Sequence, residues 1–280
     1  MIREALAASV DALHAAGVED PRLDAELLLA EATGWDRSAL AADADAEVPP
    51  QAARRFGEMV RRRLRREPVA YILGRKGFRQ LDLAVDPRVL IPRPETELLV
   101  ELALELRPGS VLDVGTGSGA VALAIADELP GCEVTATDTS AAALEVAADN
   151  AERLGLSSRV RLLAGTVPEG GEFDLIVANL PYVAEREWGS LQPEVTEWEP
   201  REALLAGPDG LDAIRAFLRR LRLSCRIATT KAKSPVGGVA LEVGEGQAAA
   251  VADLMREAGL GEIEVRRDLA GIERVVVGCR

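Results

Sequence analysis

Apolar positions recur at helical spacing over the first part of the chain. Ile2, Leu6, Val10 and Leu13 mark one face, which Gly17 ends. Asp20-Pro21 supplies an N-cap and then proline at the first helical position, with Leu23, Leu27, Leu28 and Leu29 behind it. A shorter helix is expected over 36–42, and Pro49-Pro50 opens a long basic helix through Arg66. The pattern predicts a small helical bundle.

From Gly74 the period shortens, and Phe78, Leu81, Leu83 and Val85 predict a hairpin before Asp86-Pro87. Two prolines hold the segment 89–97 extended, and Thr96 or its acidic neighbours open a helix through Leu106. Val111, Leu112 and Val114 form a buried strand that runs into a glycine turn, and a helix follows over 120–129. The pattern then alternates: strand 133–137, helix 140–154, and strands 160–163 and 173–178. After a long loop come helix 210–222, strand 239–243, helix 247–258 and a closing pair at 263–267 and 274–277. Strands alternating with helices predict an α/β fold, a parallel sheet covered on both faces. The expected division is a helical domain over 1–73, a β-hairpin connector over 74–94 and the α/β domain over 95–280.

Composition narrows the function. Of the 280 residues 48% are hydrophobic and 28% charged, enough to build cores but with no apolar run of membrane-spanning length. Arg3, Glu4, Asp11 and His14 interrupt the N-terminal stretch, so a secretory leader is not expected and a cytoplasmic location is. Cys132, Cys225 and Cys279 are too widely spaced for a metal cluster or a disulfide framework. The net charge of −13 opposes binding to a phosphate backbone, so neither nucleic acid nor a membrane is an expected partner. The arginine run over 54–66 reads first as a solvated helix face and second as a dock for an acidic partner. The single histidine, His14, lies far in sequence from every motif, which leaves histidine-based acid–base chemistry without support.

Candidate chemistry begins at Gly115-Thr116-Gly117-Ser118-Gly119, where the glycines let the backbone turn sharply and a ligand approach closely. Asp138 ends the next strand, where a carboxylate can accept both hydroxyls of a nucleoside ribose; capping the following helix is the alternative. Up to this point nicotinamide and S-adenosylmethionine enzymes fit equally. Asn179-Leu180-Pro181-Tyr182 separates them, because it leaves the fourth strand at the ligand-binding edge of the sheet. The Asn179 oxygen and the Leu180 carbonyl can accept the two N–H bonds of a planar amide or amino group. Pro181 stiffens the loop, and Tyr182 can stack on the flat group.

These motifs resemble those of the protein-(glutamine-N5) methyltransferases of peptide chain release factors, the HemK/PrmC family. The resemblance covers nearly the whole chain: the segment 67–74, Val89 to Glu97, the glycine turn, Asp138, the Asn179 tetrapeptide, Glu199-Pro200-Arg201, the segment 207–210 and Leu241 to Gly244. It implies a class I, Rossmann-like methyltransferase sheet behind a helical domain that helps hold the release factor. It also implies S-adenosyl-L-methionine as cofactor and the glutamine of a Gly-Gly-Gln motif in class I release factors as target. By position, Gly115, Thr116, Gly117, Ser118, Gly119, Asp138 and Asn179 would bind the cofactor. Asn179, Leu180, Pro181 and Tyr182 would hold the glutamine amide, with Asn179 and Tyr182 catalytic. No metal is expected, and the chain is expected to act as a monomer.

Two departures stand out. Leu180 replaces a family proline, keeping the carbonyl but not the ring, and activity is expected to survive. The polar segment 224–235 is longer than the family pattern and reads as a variable loop. Three rival readings remain: an adenine-N6 methyltransferase, which would use the same tetrapeptide; a silent release-factor-binding module; and a nicotinamide dehydrogenase, which lacks a proton donor here.

Overall fold

Proline and glycine punctuate the first helices. In the computed structural model, which describes residues 1–227 and 238–279, α1 (Ile2–Ala15), α2 (Pro21–Thr33), α3 (Arg37–Ala42), α4 (Pro50–Leu64) and α5 (Val69–Leu73) follow in order. The Asp36 side chain caps α3 by accepting from the Ala39 amide at 2.7 Å. One compact unit comprises Met1–Arg75 together with Gln192–Trp198. Its core joins Ile2, Leu28, Leu29, Leu40, Phe56 and Met59. Leu23, expected on the buried face, is 39% exposed, because it lies nearly opposite the stripe of Ala25, Leu28 and Leu29.

The arginine run is only partly the solvated face that was expected. Arg54, Arg61 and Arg65 are exposed. Arg63 is buried, with ion pairs at 2.6 Å to both Asp24 and Glu194, and Arg66 meets Glu194 at 2.5 Å. Burial raises the Glu194 pKa, but the Arg66 and Arg63 guanidiniums outweigh it and hold the carboxyl below the usual range. The run therefore serves in part as internal clasps of this unit.

The second unit comprises Lys76–Leu191 and Glu199–Arg280. The hairpin β1 (Arg75–Phe78) and β2 (Leu81–Ala84) leads to a 3-10 turn at Pro94–Thr96 and α6 (Glu97–Leu106). Next come β3 (Ser110–Val114), α7 (Ala120–Glu128), β4 (Glu133–Asp138), α8 (Ala141–Arg153), β5 (Val160–Ala164), β6 (Gly171–Phe173) and β7 (Leu175–Ala178). The connection that followed as a long loop in sequence contains α9 (Pro193–Trp198), which belongs to the first unit, and two 3-10 turns. It ends at α10 (Asp212–Ser224) and β8 (Cys225–Ile227), followed by β9 (Gly238–Glu242), α11 (Ala248–Glu257), β10 (Gly261–Arg267) and β11 (Glu273–Cys279). Of the segment 224–235, all beyond Ile227 lies outside the described residues.

Seven strands form the main sheet in the order β10-β11-β9-β7-β3-β4-β5. Five of them, β9, β7, β3, β4 and β5, pair in parallel. The sheet is mixed rather than wholly parallel: β11 runs antiparallel to both β9 and β10, since the short turn from Asp268 to Ile272 can only close a hairpin. Side chains alternate between two cores. Val111, Leu175, Val177 and Ala240 face one, shared with Leu99 and Leu123, while Leu112, Val114, Ile176 and Leu241 face the other, shared with Ile214 and Val251.

The expected single strand over 173–178 is two strands in different sheets. Asp174 divides them: its carboxylate accepts from the Gly109 and Ser110 amides at 2.8 and 3.0 Å, and β6 turns aside to pair with β8. Strand order reverses at β3, with β4 on one side and β7 on the other. Ligands of such sheets bind at the carboxyl ends of the strands beside that point.

Candidate active site

The carboxyl end of β3 becomes a turn because the neighbouring strand holds it. Gly115 and Thr116 both donate to the Thr137 carbonyl, at 2.8 and 3.0 Å. Gly117 stands at φ +57, and a Cβ built on it would meet nothing within 4 Å, so the turn presents bare backbone on that side. Beneath, Thr116 donates its hydroxyl to Asp113 at 2.6 Å. Burial pushes Asp113 up to about 7, against the pull of that hydroxyl. Asn150 of α8, fully buried, donates to the Ser118 carbonyl at 2.9 Å and to the Ala84 carbonyl at 3.0 Å, and accepts from the Ala84 amide at 2.7 Å. It ties the turn to the β2 strand.

Asp138 faces the turn from the end of β4. Its Oδ2 accepts from the Gly117 amide at 2.9 Å and its Oδ1 from the Ser140 amide at 2.9 Å. The cap of α8 is Ser140, whose hydroxyl accepts from Ala143 at 3.2 Å, so the capping alternative for Asp138 falls to its neighbour.

The Asn179 loop leaves β7 across the same edge. Asn179 donates its side-chain nitrogen to the Thr96 hydroxyl at 3.0 Å, which turns Oδ1 away from Thr96. Thr96 stands at the N-cap of α6 as expected, but its buried side chain makes no capping hydrogen bond and serves Asn179 instead. Leu180 packs against the second core, giving the loop by side-chain burial some of the fixity a ring would give. Tyr182 is enclosed by two glycines. A Cβ on Gly210 would stand 2.3 Å from the Tyr182 carbonyl oxygen, and one on Gly244 would stand 3.1 Å from its ring. Burial, then the Glu242 charge, push the Tyr182 hydroxyl up to about 12.

Glu242, at the carboxyl end of β9, is 2% exposed. Burial raises its pKa to about 7, against the pull of the Thr96 hydroxyl, and its Oε2 is buried without a hydrogen-bond partner. Glu199 accepts from the Ile91 amide at 3.0 Å and pairs with Arg93, fastening the proline-rich segment that carries Thr96.

These elements line a cleft of about 170 Å³ that is open to solvent. Gly115, Gly117, Asp138, Asn179, Leu180 and Pro181 line it together. Thr116, Ser118 and Gly119 are buried, where they shape the turn, and Tyr182 is not among the residues that line the cleft. Sequence reasoning passed over Asp113, Thr96, Asn150 and Glu242 as site residues. Asn150 was detectable as the one amide in the buried stripe of Ala143, Val146 and Ala147. Among the described residues no group of His, Cys, Asp and Glu could hold a metal ion, and no helix is long and apolar enough to cross a membrane.

Comparison with known proteins gives matches along the chain. Residues 4–74 match the model described as PrmC N-terminal domain, and residues 94–193 match the methyltransferase small domain. A release factor glutamine methyltransferase of Moorella thermoacetica is 44% identical over 287 residues, covering 100% of this chain and 98% of that protein. Proteins of the same name are 45% identical over 268 residues in Bordetella pertussis (92% of this chain, 94% of that one) and 42% over 277 residues in Cereibacter sphaeroides (98% and 96%). The hMettl16 catalytic domain superimposes with a TM-score of 0.54 at 15% identity, covering 70% of this chain and 74% of that one. A methyltransferase from Pyrococcus furiosus gives 0.52 at 21% identity, covering 73% and 91%. The two structures show a shared fold.

Proposed function

The chain belongs to the release factor glutamine methyltransferase family, and we propose that it uses S-adenosyl-L-methionine to methylate the side-chain amide nitrogen, N5, of the glutamine in the Gly-Gly-Gln motif of class I release factors. The observation that carries this reading is the Asn179 carboxamide at the cleft wall, its nitrogen spent on Thr96 and its oxygen turned the other way. An oxygen so placed accepts one N–H of a planar amide, and the Leu180 carbonyl supplies a second acceptor.

The cleft fits the cofactor on two counts. Asp138 has one hydrogen bond on each oxygen, so of the roughly four acceptor positions of a carboxylate two remain for ribose hydroxyls. The bare backbone at Gly117 lets a nucleoside-sized group approach. Bound there, S-adenosyl-L-methionine supplies an electrophilic methyl group on a sulfonium sulfur. The chain's own contribution is positioning: two acceptors on the hydrogens of the target nitrogen fix the direction of its lone pair. No base needs to act beforehand, because an amide nitrogen becomes acidic only once alkylated.

The helical domain, 1–73, is proposed to serve the protein substrate, with 74–94 as connector and 95–280 as the transferase. The enzyme is proposed to be cytoplasmic and monomeric, with no direct nucleic-acid contact, a reading supported by the charge of −13. Incubation with methyl-labelled cofactor and either a release factor or a DNA duplex tests the proposal. Label on the glutamine of the Gly-Gly-Gln motif is expected. Label on adenine would make the chain a nucleic-acid methyltransferase, and binding of the factor without transfer would make it a silent module.

A further inference from the structure

Two stretches that the sequence marks out, 207–210 and Leu241 to Gly244, meet around one side chain, Gln247. Gln247 stands at the N-cap of α11, yet its carboxamide does not cap that helix. Its Oε1 accepts from the Gly244 amide at 2.9 Å, and its Nε2 donates to the Tyr182 carbonyl at 2.9 Å. The backbone amide of Gln247 closes the same turn by donating to the Gly244 carbonyl at 3.1 Å. The carboxamide thus spans from the turn after β9 to the last residue of the Asn179 tetrapeptide.

Both ends of that amide are set by backbone groups of fixed character. An N–H only donates and a C=O only accepts, so the oxygen must face Gly244 and the NH2 group Tyr182. Glutamate would suit Gly244 and oppose the Tyr182 carbonyl, and leucine would bond to neither. The two glycines leave the room this clamp requires. A Cβ on Gly244 would stand 3.0 Å from the Gln247 Oε1, and one on Gly210 would stand 2.7 Å from its Nε2 and 2.3 Å from the Tyr182 carbonyl oxygen.

The peptide unit joining Tyr182 to Val183 is held on both edges: its N–H donates to the Leu204 carbonyl at 2.9 Å, and its C=O accepts from Gln247. Without Gln247 it would be held on one edge and could tilt. The other end of the tetrapeptide is tied by the bond from Asn179 to the Thr96 hydroxyl at 3.0 Å. Between the ends stand the Leu180 carbonyl and Pro181, whose ring fixes φ. With both ends tied, the fold rather than the substrate sets the direction of the Leu180 carbonyl. We propose that Gln247 is a positioning residue for methyl transfer, holding the Tyr182 end of the loop so that the Leu180 carbonyl and Asn179 converge on the target nitrogen. The inference rests on the reading of this loop as the amide-binding group.

Gln247→Leu and Gln247→Glu in the full-length enzyme test this, with Gln247→Leu also combined with Asn179→Ala. Turnover on a release factor, KM for the cofactor and the melting temperature are measured for each. Gln247→Glu keeps the shape of the side chain, so it carries the test if Gln247→Leu melts below the assay temperature. Both single variants, folded, are expected to lower kcat ~10-fold or more, as misplacement of a reacting group does. Cofactor KM should stay unchanged, since Gln247 bonds to none of Gly115, Gly117 and Asp138. In the Asn179→Ala background, Gln247→Leu should cost less than about threefold, because two acceptors on one NH2 group act as a unit. Parental kcat in the folded single variants would overturn the inference. So would a loss that multiplies in full with that of Asn179→Ala, since Gln247 would then act apart from the loop. Either result leaves the functional reading intact. A parent enzyme that leaves the release factor unmethylated would overturn the functional reading and this inference with it.

Discussion

The Gly117 amide donates to the Asp138 Oδ2 at 2.9 Å, so the carboxylate at the end of β4 braces the turn it faces. Replacing Asp138 by Ala removes that brace and the proposed ribose acceptor together. Cofactor affinity, measured by calorimetry, should weaken by about 1.5–3 kcal/mol, the range for losing hydrogen bonds to a charged group. Unchanged affinity would take Asp138 out of the site.

Asn179→Ala should lower turnover by ~100-fold or more, as loss of one preorganised polar contact does. Release-factor affinity should change little if most of that contact lies elsewhere. Turnover at saturating cofactor and substrate decides it, and an alanine variant within about threefold of the parent would reduce the tetrapeptide to a turn.

Asn150→Ala should be among the more damaging substitutions outside the cleft. It strips partners from the Ala84 amide, the Ala84 carbonyl and the Ser118 carbonyl at once. A loss of roughly 2–4 kcal/mol in urea unfolding is expected, since unsatisfied buried polar groups are expensive. A loss under about 1 kcal/mol would mean that water or a small shift replaces the amide.

Asp113 gives stability a pH dependence of its own. Burial raises its pKa from 3.8 unfolded to about 7 in the folded chain, so between those values the native state holds a proton that the unfolded state has released. The stability this group contributes is therefore full below pH 3.8 and is lost as pH rises to about 7. Compared with Asp113→Asn, the parent should lose unfolding free energy between pH 5 and pH 8. A constant difference between the two proteins would show that Asp113 is ionised throughout.

Local pattern made the architecture readable. The switch from helical to alternating spacing after Gly74 and the glycine turn between an apolar strand and an apolar helix follow from residues close together in sequence. What escaped was tertiary. Nothing near Asp174 announces that its carboxylate reaches Gly109 and Ser110 and so splits a strand. Thr96 does open α6, but its side-chain partner, Asn179, lies 83 residues along the chain and is invisible locally. The arginines of α4 looked uniform, although about two and a half turns of helix, at ~3.6 residues per turn, send Arg63 inward and Arg54 out. Leu241-Glu-Val-Gly244 reads as a motif, yet only the fold shows that its glutamate is buried and its glycine lies against the Tyr182 ring.

The ion pairs of Glu194 bear on how the protein is made. A ribosome delivers α1 to α5 first, but Arg66 must wait for a carboxylate 128 residues later. At ~5–20 residues per second that is a delay of roughly 6–26 s. In that interval Arg63 has Asp24 and lacks its second partner, while β3, β4, β5 and β7 of the other unit are already synthesised. The unit that holds α1 to α5 is thus completed by a segment translated well after them, and pauses between those points would lengthen the life of a nascent intermediate with an arginine pair awaiting its acid.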